Sequence, residues 1–172
     1  WLVAPGTPGN KPAKLFTCSK EDKYHDPGKP LLKPTDMGTS IMISNGNILY
    51  FAGEGASPEG NRPFLDEFNV STRESKRLWQ SEKPYYEYSV RLLDDKKLVT
   101  RRESQEEPPN YFVRDLLKND IKQFTFFPNP MPQFAGVKKQ ILRYKRDDGV
   151  ELTATLYLPP GYSPKDGPLP LV

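Results

Sequence analysis

Thr39 to Phe51 reads TSIMISNGNILYF, two β-rich runs on either side of Asn45-Gly46. That dipeptide adopts the positive φ angles of a type I′ hairpin turn readily. About fifty positions on, Ser89 to Thr100 reads SVRLLDDKKLVT, again two β runs, now around Asp94-Asp95-Lys96. Each hairpin is followed by a polar loop, ASPEGNRP from Ala56 and SQEEPPN from Ser104. A third strand is expected next, Phe64 to Val70 in one copy and Tyr111 to Leu117 in the other. A turn follows (Ser71-Thr72-Arg73; Lys118-Asn119-Asp120), then a closing strand, Lys76 to Gln80 and Lys122 to Phe126. Four antiparallel strands repeating every ~40 to 50 residues is the pattern of a β-propeller blade.

A partial copy precedes these two. Trp1 to Ala4 reads as a late strand, and Lys14-Leu15-Phe16-Thr17 aligns with Arg77 to Gln80 and Gln123 to Phe126 as a blade-closing strand. The chain thus offers two whole blades and the end of another. Propellers generally need at least four blades, so we expect a piece of a longer polypeptide. The start at Trp1 rather than Met agrees with that expectation.

The pattern changes after Phe127. Pro128-Asn129-Pro130-Met131-Pro132 is a proline-dense linker, where missing N–H donors discourage regular structure. A short helix is expected around Phe134 to Lys139. Gln140 to Arg146 and Val150 to Leu158 then form one more hairpin about Asp147-Asp148-Gly149. Alternation places Leu152, Ala154, Leu156 and Leu158 on one face, against Glu151, Thr153, Thr155 and Tyr157 on the other. Pro159-Pro160-Gly161 stops the strand, and Leu169 to Val172 reads as the start of another.

Composition agrees with short strands joined by turns. Only 35% of the 172 residues are hydrophobic, while Pro (19) and Gly (12) are plentiful and aromatics reach 12%. Recurrent Tyr, Phe, Ile and Val clusters argue against disorder. The net charge of +3, from 25 basic and 22 acidic residues, is well mixed along the chain. No basic face is concentrated enough to suggest nucleic acid as a partner; Arg101-Arg102 and Lys138-Lys139 read as solvated pairs. No apolar run approaches the ~20 residues that cross a bilayer, so no membrane partner is expected. Cys18 is the only cysteine, which excludes an internal disulfide.

The catalytic inventory is short. Serine hydrolysis needs a nucleophile, an imidazole and an orienting carboxylate, and the G-x-S-x-G elbow of α/β-hydrolases is absent. The one histidine, His25, lies in the turn-rich YHDPGKP; its neighbour Asp26 could orient it, but a structural turn is the expected role. One histidine and one distant cysteine make no zinc site, and no metal is expected. Gly53, Gly55 and Gly60 lack the Lys-Ser/Thr and helix of a P-loop, so no cofactor is expected either. Glu54 and Glu59 could be read as an acid/base pair, though an exposed loop is the expected setting. Asn69-Val70-Ser71 is a formal glycosylation sequon read as incidental. No catalytic residue is assigned within the chain.

The stretch RYKRDDGVELTATLYLPPGYSPKDGPLPLV (Arg143 to Val172) resembles the start of the catalytic domain in the prolyl oligopeptidase family of serine peptidases. YHDPGKP (Tyr24 to Pro30), GEGASPEGNRPFLDEFNV (Gly53 to Val70) and FPNPMPQF (Phe127 to Phe134) resemble its glutamyl endopeptidase branch, known from plant chloroplasts and bacteria. The resemblance implies a mainly β piece of a two-domain enzyme. Residues 1–131 would be C-terminal β-propeller blades that screen substrates. Residues 132–172 would be the linker and first strands of an α/β-hydrolase domain, with Phe127 to Phe134 as the hinge. Peptide substrates and the remainder of the hydrolase domain would be its partners. The catalytic Ser, Asp and His would all lie beyond Val172. A plastid stroma or a periplasmic or secreted setting would follow from a plant or bacterial source respectively. The rival readings are a non-enzymatic propeller scaffold and a dipeptidyl- or acylaminoacyl-peptidase of the same architecture. A preference for Glu requires cationic partners for a buried carboxylate. Arg91, Arg101, Arg102 and Arg114 are the candidates here, with directions that alternation alone leaves open.

Overall fold

The computed structural model describes residues 1–4, 6 and 8–170, and it is mainly β, with antiparallel pairing throughout. Among the described residues thirteen strands run in chain order, with two short 3-10 turns at Pro132–Phe134 and Pro164–Asp166. The chain divides into two compact units, Trp1–Ser104 with Pro109–Phe127, and Gln105–Pro108 with Pro128–Val172.

Among the described residues the first unit holds two large sheets and one small two-stranded one. In the first sheet, β5 (Ile48–Gly53), β6 (Phe64–Asn69) and β7 (Ser75–Gln80) form a meander, and β5 also pairs with β1 (Lys29–Pro30) and β4 (Ser44–Asn45). The short strands β2 (Leu32–Pro34) and β3 (Ser40–Met42) pair with each other. The second sheet is the meander β8 (Tyr86–Leu92), β9 (Lys97–Glu103), β10 (Asn110–Asp115) and β11 (Asp120–Gln123). The fifty-residue repeat therefore corresponds to two successive antiparallel sheets.

Their shared core explains the alternation. Tyr50 and Leu65 face inward from the first sheet, Trp79 joins them from β7, and Leu92 and Leu98 come from the second. Leu65 and Leu98 are fully buried. Burying each large apolar side chain is worth about 1.5–3 kcal/mol, so the five residues on this seam dominate the unit's stability. The reverse face of the first sheet carries Phe51 and Phe68, which meet Phe16 edge-on at centroid distances of 5.9 and 5.7 Å.

Several expectations are corrected at the ends of elements. Asn45 pairs with Ile48, so the first hairpin turns on Gly46-Asn47 rather than Asn45-Gly46. Gly46 takes φ +56° and Asn47 has no positive φ, so the two successive positive φ angles of a type I′ turn are not met. The strand before that turn is broken at Ile43, whose N–H bonds Leu31 and whose side chain packs on the core. Trp1 to Ala4 contributes only the bridge Leu2↔Ala13, and Lys14 to Thr17 joins no ladder. Phe16 holds that segment to the sheet by its ring instead. β11 stops at Gln123, short of Phe126, because side chains replace the ladder. Asn110 Oδ1 accepts from Thr125 Oγ1 and Phe127 N, and Thr125 Oγ1 accepts from Tyr111 N.

The second unit contains the hairpin of β12 (Lys138–Lys145) and β13 (Glu151–Leu158). Its turn at Asp147-Asp148-Gly149, with Gly149 at φ +85°, lies where the sequence placed it. Burial alternates along β13, with Leu152, Ala154, Leu156 and Leu158 the more covered set. The helix expected over Phe134 to Lys139 is absent. Pro132 starts a single 3-10 turn, Gly136 at φ +81° ends it, and β12 follows. Leu169 and Pro170 lie in no strand; Leu171 and Val172 of that expected strand fall outside the described residues.

The matching turns of the two sheets each hold one left-handed non-glycine residue, Arg73 at φ +64° after β6 and Asn119 at φ +54° after β10. Asparagine tolerates this region better than arginine does. Arg73→Gly should therefore raise stability, by about 0.5–1 kcal/mol after the entropy cost of glycine. A urea melt reads this directly, and Asn119→Gly should gain less.

Candidate functional site

Glu87, Thr100 and Arg114 stand on adjacent strands of the second sheet, and the cross-strand register puts all three on the face toward the first. Glu87 is only 1% exposed. Arg114 Nε and Nη2 each donate to it at 2.7 Å in a bidentate fork, and Thr100 Oγ1 donates to the same carboxylate. The Arg114 guanidinium also lies 5.2 Å from the Trp79 ring of the first sheet. Beside it the Arg102 guanidinium is held between the Tyr85 and Phe112 rings, at 4.0 and 4.1 Å from their centroids. Glu87, Arg102, Arg114 and Tyr85, with Gln80 and Lys83, line a mainly polar cleft of about 430 Å³ between β7 and the second sheet.

The four candidate arginines thus separate. Arg102 and Arg114 point into the cleft. Arg101 points to the opposite face, 3.1 Å from Glu103 and over Tyr88. Arg91 is exposed beyond the bulge that shifts the β8–β9 register. Glu87 escaped the sequence reading although Arg114 did not. Its signal was available: a lone carboxylate at an inward position of a strand, between Tyr86 and Tyr88.

Glu54 and Glu59 are each engaged separately. Glu54 accepts from Tyr86 Oη at 2.9 Å and from Asn61 Nδ2 at 3.1 Å, while Glu59 is ion-paired with Lys83. This pairing holds the Glu59 carboxyl below the usual range. Partial burial, and then the Glu54 carboxylate, push the Tyr86 phenol up to about 12. A phenol raised in the folded state favours folding below its ordinary value near 10, and that contribution is lost as pH rises from about 10 to 12. Burial raises the Tyr50 phenol as well, so in a 295 nm titration both tyrosines should ionise late, and Tyr86→Phe should remove the part of that late phase near pH 12.

His25 is paired with Asp22, not Asp26: Nδ1 lies 2.8 Å from Asp22 Oδ2 and its side chain is 86% exposed. The hydrogen bond to His25 holds the Asp22 carboxyl low. Asp26 instead accepts from the Gly28 N–H, closing the turn. Asn69 Oδ1 accepts from the N–H groups of Ser71 and Thr72. Cys18 is exposed. Among the described residues no cluster of His, Cys, Asp or Glu could hold a metal ion. The cleft can therefore bind polar groups, but it holds no nucleophile with a base beside it.

No protein-family model matches the chain. Two curated plant proteins do, both described as "Probable glutamyl endopeptidase, chloroplastic". The one from Arabidopsis thaliana is 42% identical over 188 residues and that from Oryza sativa subsp. japonica 43% over 187, each covering 99% of this chain. Along almost its whole length the chain is similar to glutamyl endopeptidases. It spans about one fifth of the length of these relatives. The identity runs through both sheets and the β12–β13 hairpin, so the glutamyl endopeptidase resemblance is not confined to the motifs that first carried it. Two solved structures of the AtxE2 isopeptidase, one apo and one a variant with Astexin3 bound, are also similar in fold. They match 78% of this chain and 22% of theirs, at TM-scores of 0.43 and 0.45 and identities of 19% and 18% respectively.

Proposed function

We propose that this chain is a segment of a serine peptidase that cleaves peptide bonds after Glu through an acyl-enzyme. The observation that carries this reading is the 42–43% identity to glutamyl endopeptidases over 99% of the chain. In this reading residues 1–131 are propeller blades, two whole and one partial, and residues 132–172 are the linker and first strands of the hydrolase domain. The two successive antiparallel meanders, of three strands and of four, packed on a shared core support the blade assignment. So does the half-covered outer face of the second sheet, with Tyr88, Val99, Tyr111 and Val113 on it, which a further blade would cover. In the β12–β13 hairpin, Leu142 and Tyr144 share a face with Leu152, Ala154, Leu156 and Leu158. The remainder of the hydrolase domain would dock there. Phe127 to Phe134 is the hinge, and the blades help to screen peptide substrates.

The test has two parts. The chain alone should not react with a fluorophosphonate, because it contains no activated serine; a polypeptide extended to the length of the plant relatives should be labelled once. That longer protein, given a peptide library, should cut after Glu well ahead of Gln. Equal cleavage after both would remove the glutamyl assignment and leave the serine peptidase. No labelling of the longer protein would remove both.

A further inference from the structure

The apolar core of the first unit is not inside either sheet but between them. Tyr50, Leu65 and Trp79 on one side meet Leu92 and Leu98 on the other, and Leu65 and Leu98 have no exposed surface. The loop between β5 and β6 reinforces this seam. Glu54 in that loop bonds Tyr86 at the start of β8, Glu59 pairs with Lys83, and Arg62 Nε donates to the Ser81 carbonyl. Ser81 is itself buried where the chain passes from β7 toward β8. Its N–H donates to Pro63 O at 2.7 Å, and its hydroxyl accepts from the Glu87 N–H at 3.0 Å. Chain connection, side-chain strap and apolar core therefore all cross the same boundary.

We propose that the two sheets form one cooperative unit whose seam does not part separately from global unfolding, with the Glu54–Arg62 loop as its strap. Separating them would expose every buried member of that core to water and would leave the first sheet only the smaller Phe16, Phe51 and Phe68 cluster on its reverse face. Resting on the peptidase reading above, this closes one route: peptides do not reach an active site by passing between these two sheets, and they enter elsewhere.

The test needs no activity. In the 172-residue chain with Cys18→Ser, Leu65→Cys and Leu98→Cys place one thiol on each side of the seam, and thiol labelling is followed in sub-denaturing urea. Both thiols should react only through an opening whose urea dependence equals that of equilibrium unfolding, since the slope reports the surface exposed. The amides of Ser81 and Glu87 in the unsubstituted chain should exchange with the same dependence, which decides the matter even where a cysteine variant fails to fold. Labelling or exchange through an opening of clearly shallower slope, with the amides of Leu65 and Phe112 still protected, overturns the proposal. A failure of the peptidase reading, seen as an unlabelled longer protein, leaves these outcomes unchanged.

Discussion

Arg114→Leu should destabilise the first unit by about 3–5 kcal/mol, the cost of stranding one partner of a buried ion pair. Glu87 is 1% exposed and receives both guanidinium bonds at 2.7 Å. Without Arg114 its carboxylate keeps only the Thr100 hydroxyl. Water in the adjoining cleft can replace the fork only in part, because the Glu87 carboxylate is almost wholly covered. The double variant Arg114→Leu, Glu87→Leu should recover most of the loss, because removing both charges also removes their desolvation penalty. Exposed pairs supply the control. Lys145–Glu151, with side chains 69% and 79% exposed at 3.5 Å, should change stability by less than ~1 kcal/mol when Lys145 is replaced. Urea melts of the four proteins measure all of this. An Arg114→Leu loss no larger than that of the control would show that the buried fork is not holding the sheet.

The legible part of this fold was whatever repeats with period two. Leu152, Ala154, Leu156 and Leu158 announce the covered side of β13, and Asp148-Gly149 places its turn, because both signals are local. The two hairpins about fifty residues apart gave the pair of sheets for the same reason. What failed were element ends, where a side chain competes with the ladder. Asn110 and Thr125 cap the end of β11 by bonds that no propensity encodes. Phe16 lies in an extended segment that looks like a strand, yet it is anchored by two rings on a sheet face rather than by an edge. The first turn slipped by one residue because Asn45-Gly46 and Gly46-Asn47 are both good turn pairs, and the Asn45↔Ile48 pairing selects between them. The candidate cleft was legible only by halves. Arg114 could be picked out as a cation, but its partner lies 27 positions away, two strands across the sheet, and sequence spacing carries no such distance.

Gly55→Ala should cost on the order of 3 kcal/mol or more, whereas Gly46→Ala should cost only about 1–2 kcal/mol. The two glycines share nearly the same φ, +58° and +56°, so the penalty of a positive φ for an L-residue is common to both. The surroundings differ. A Cβ at Gly46 meets nothing within 4 Å, while a Cβ at Gly55 would overlap the carbonyl oxygen of Arg62 and lie 3.2 Å from the Phe64 ring. Backbone cannot step aside as a lysine tip can, and here it is pinned. Arg62 N donates to Gly55 O at 2.9 Å across the neck of the loop, and the Arg62 carbonyl accepts from Gln80 Nε2. The added methyl must therefore open the neck, which carries Glu54 away from Tyr86 and Arg62 away from Ser81. That displacement has its own optical signature. In Gly55→Ala the Tyr86 ionisation near pH 12 should move toward the ordinary value near 10 while that of Tyr50 stays late, and in Gly46→Ala the Tyr86 ionisation should stay. Equal losses from the two alanines, with the late phase intact in both, would mean that φ alone sets the cost and that the neck yields freely.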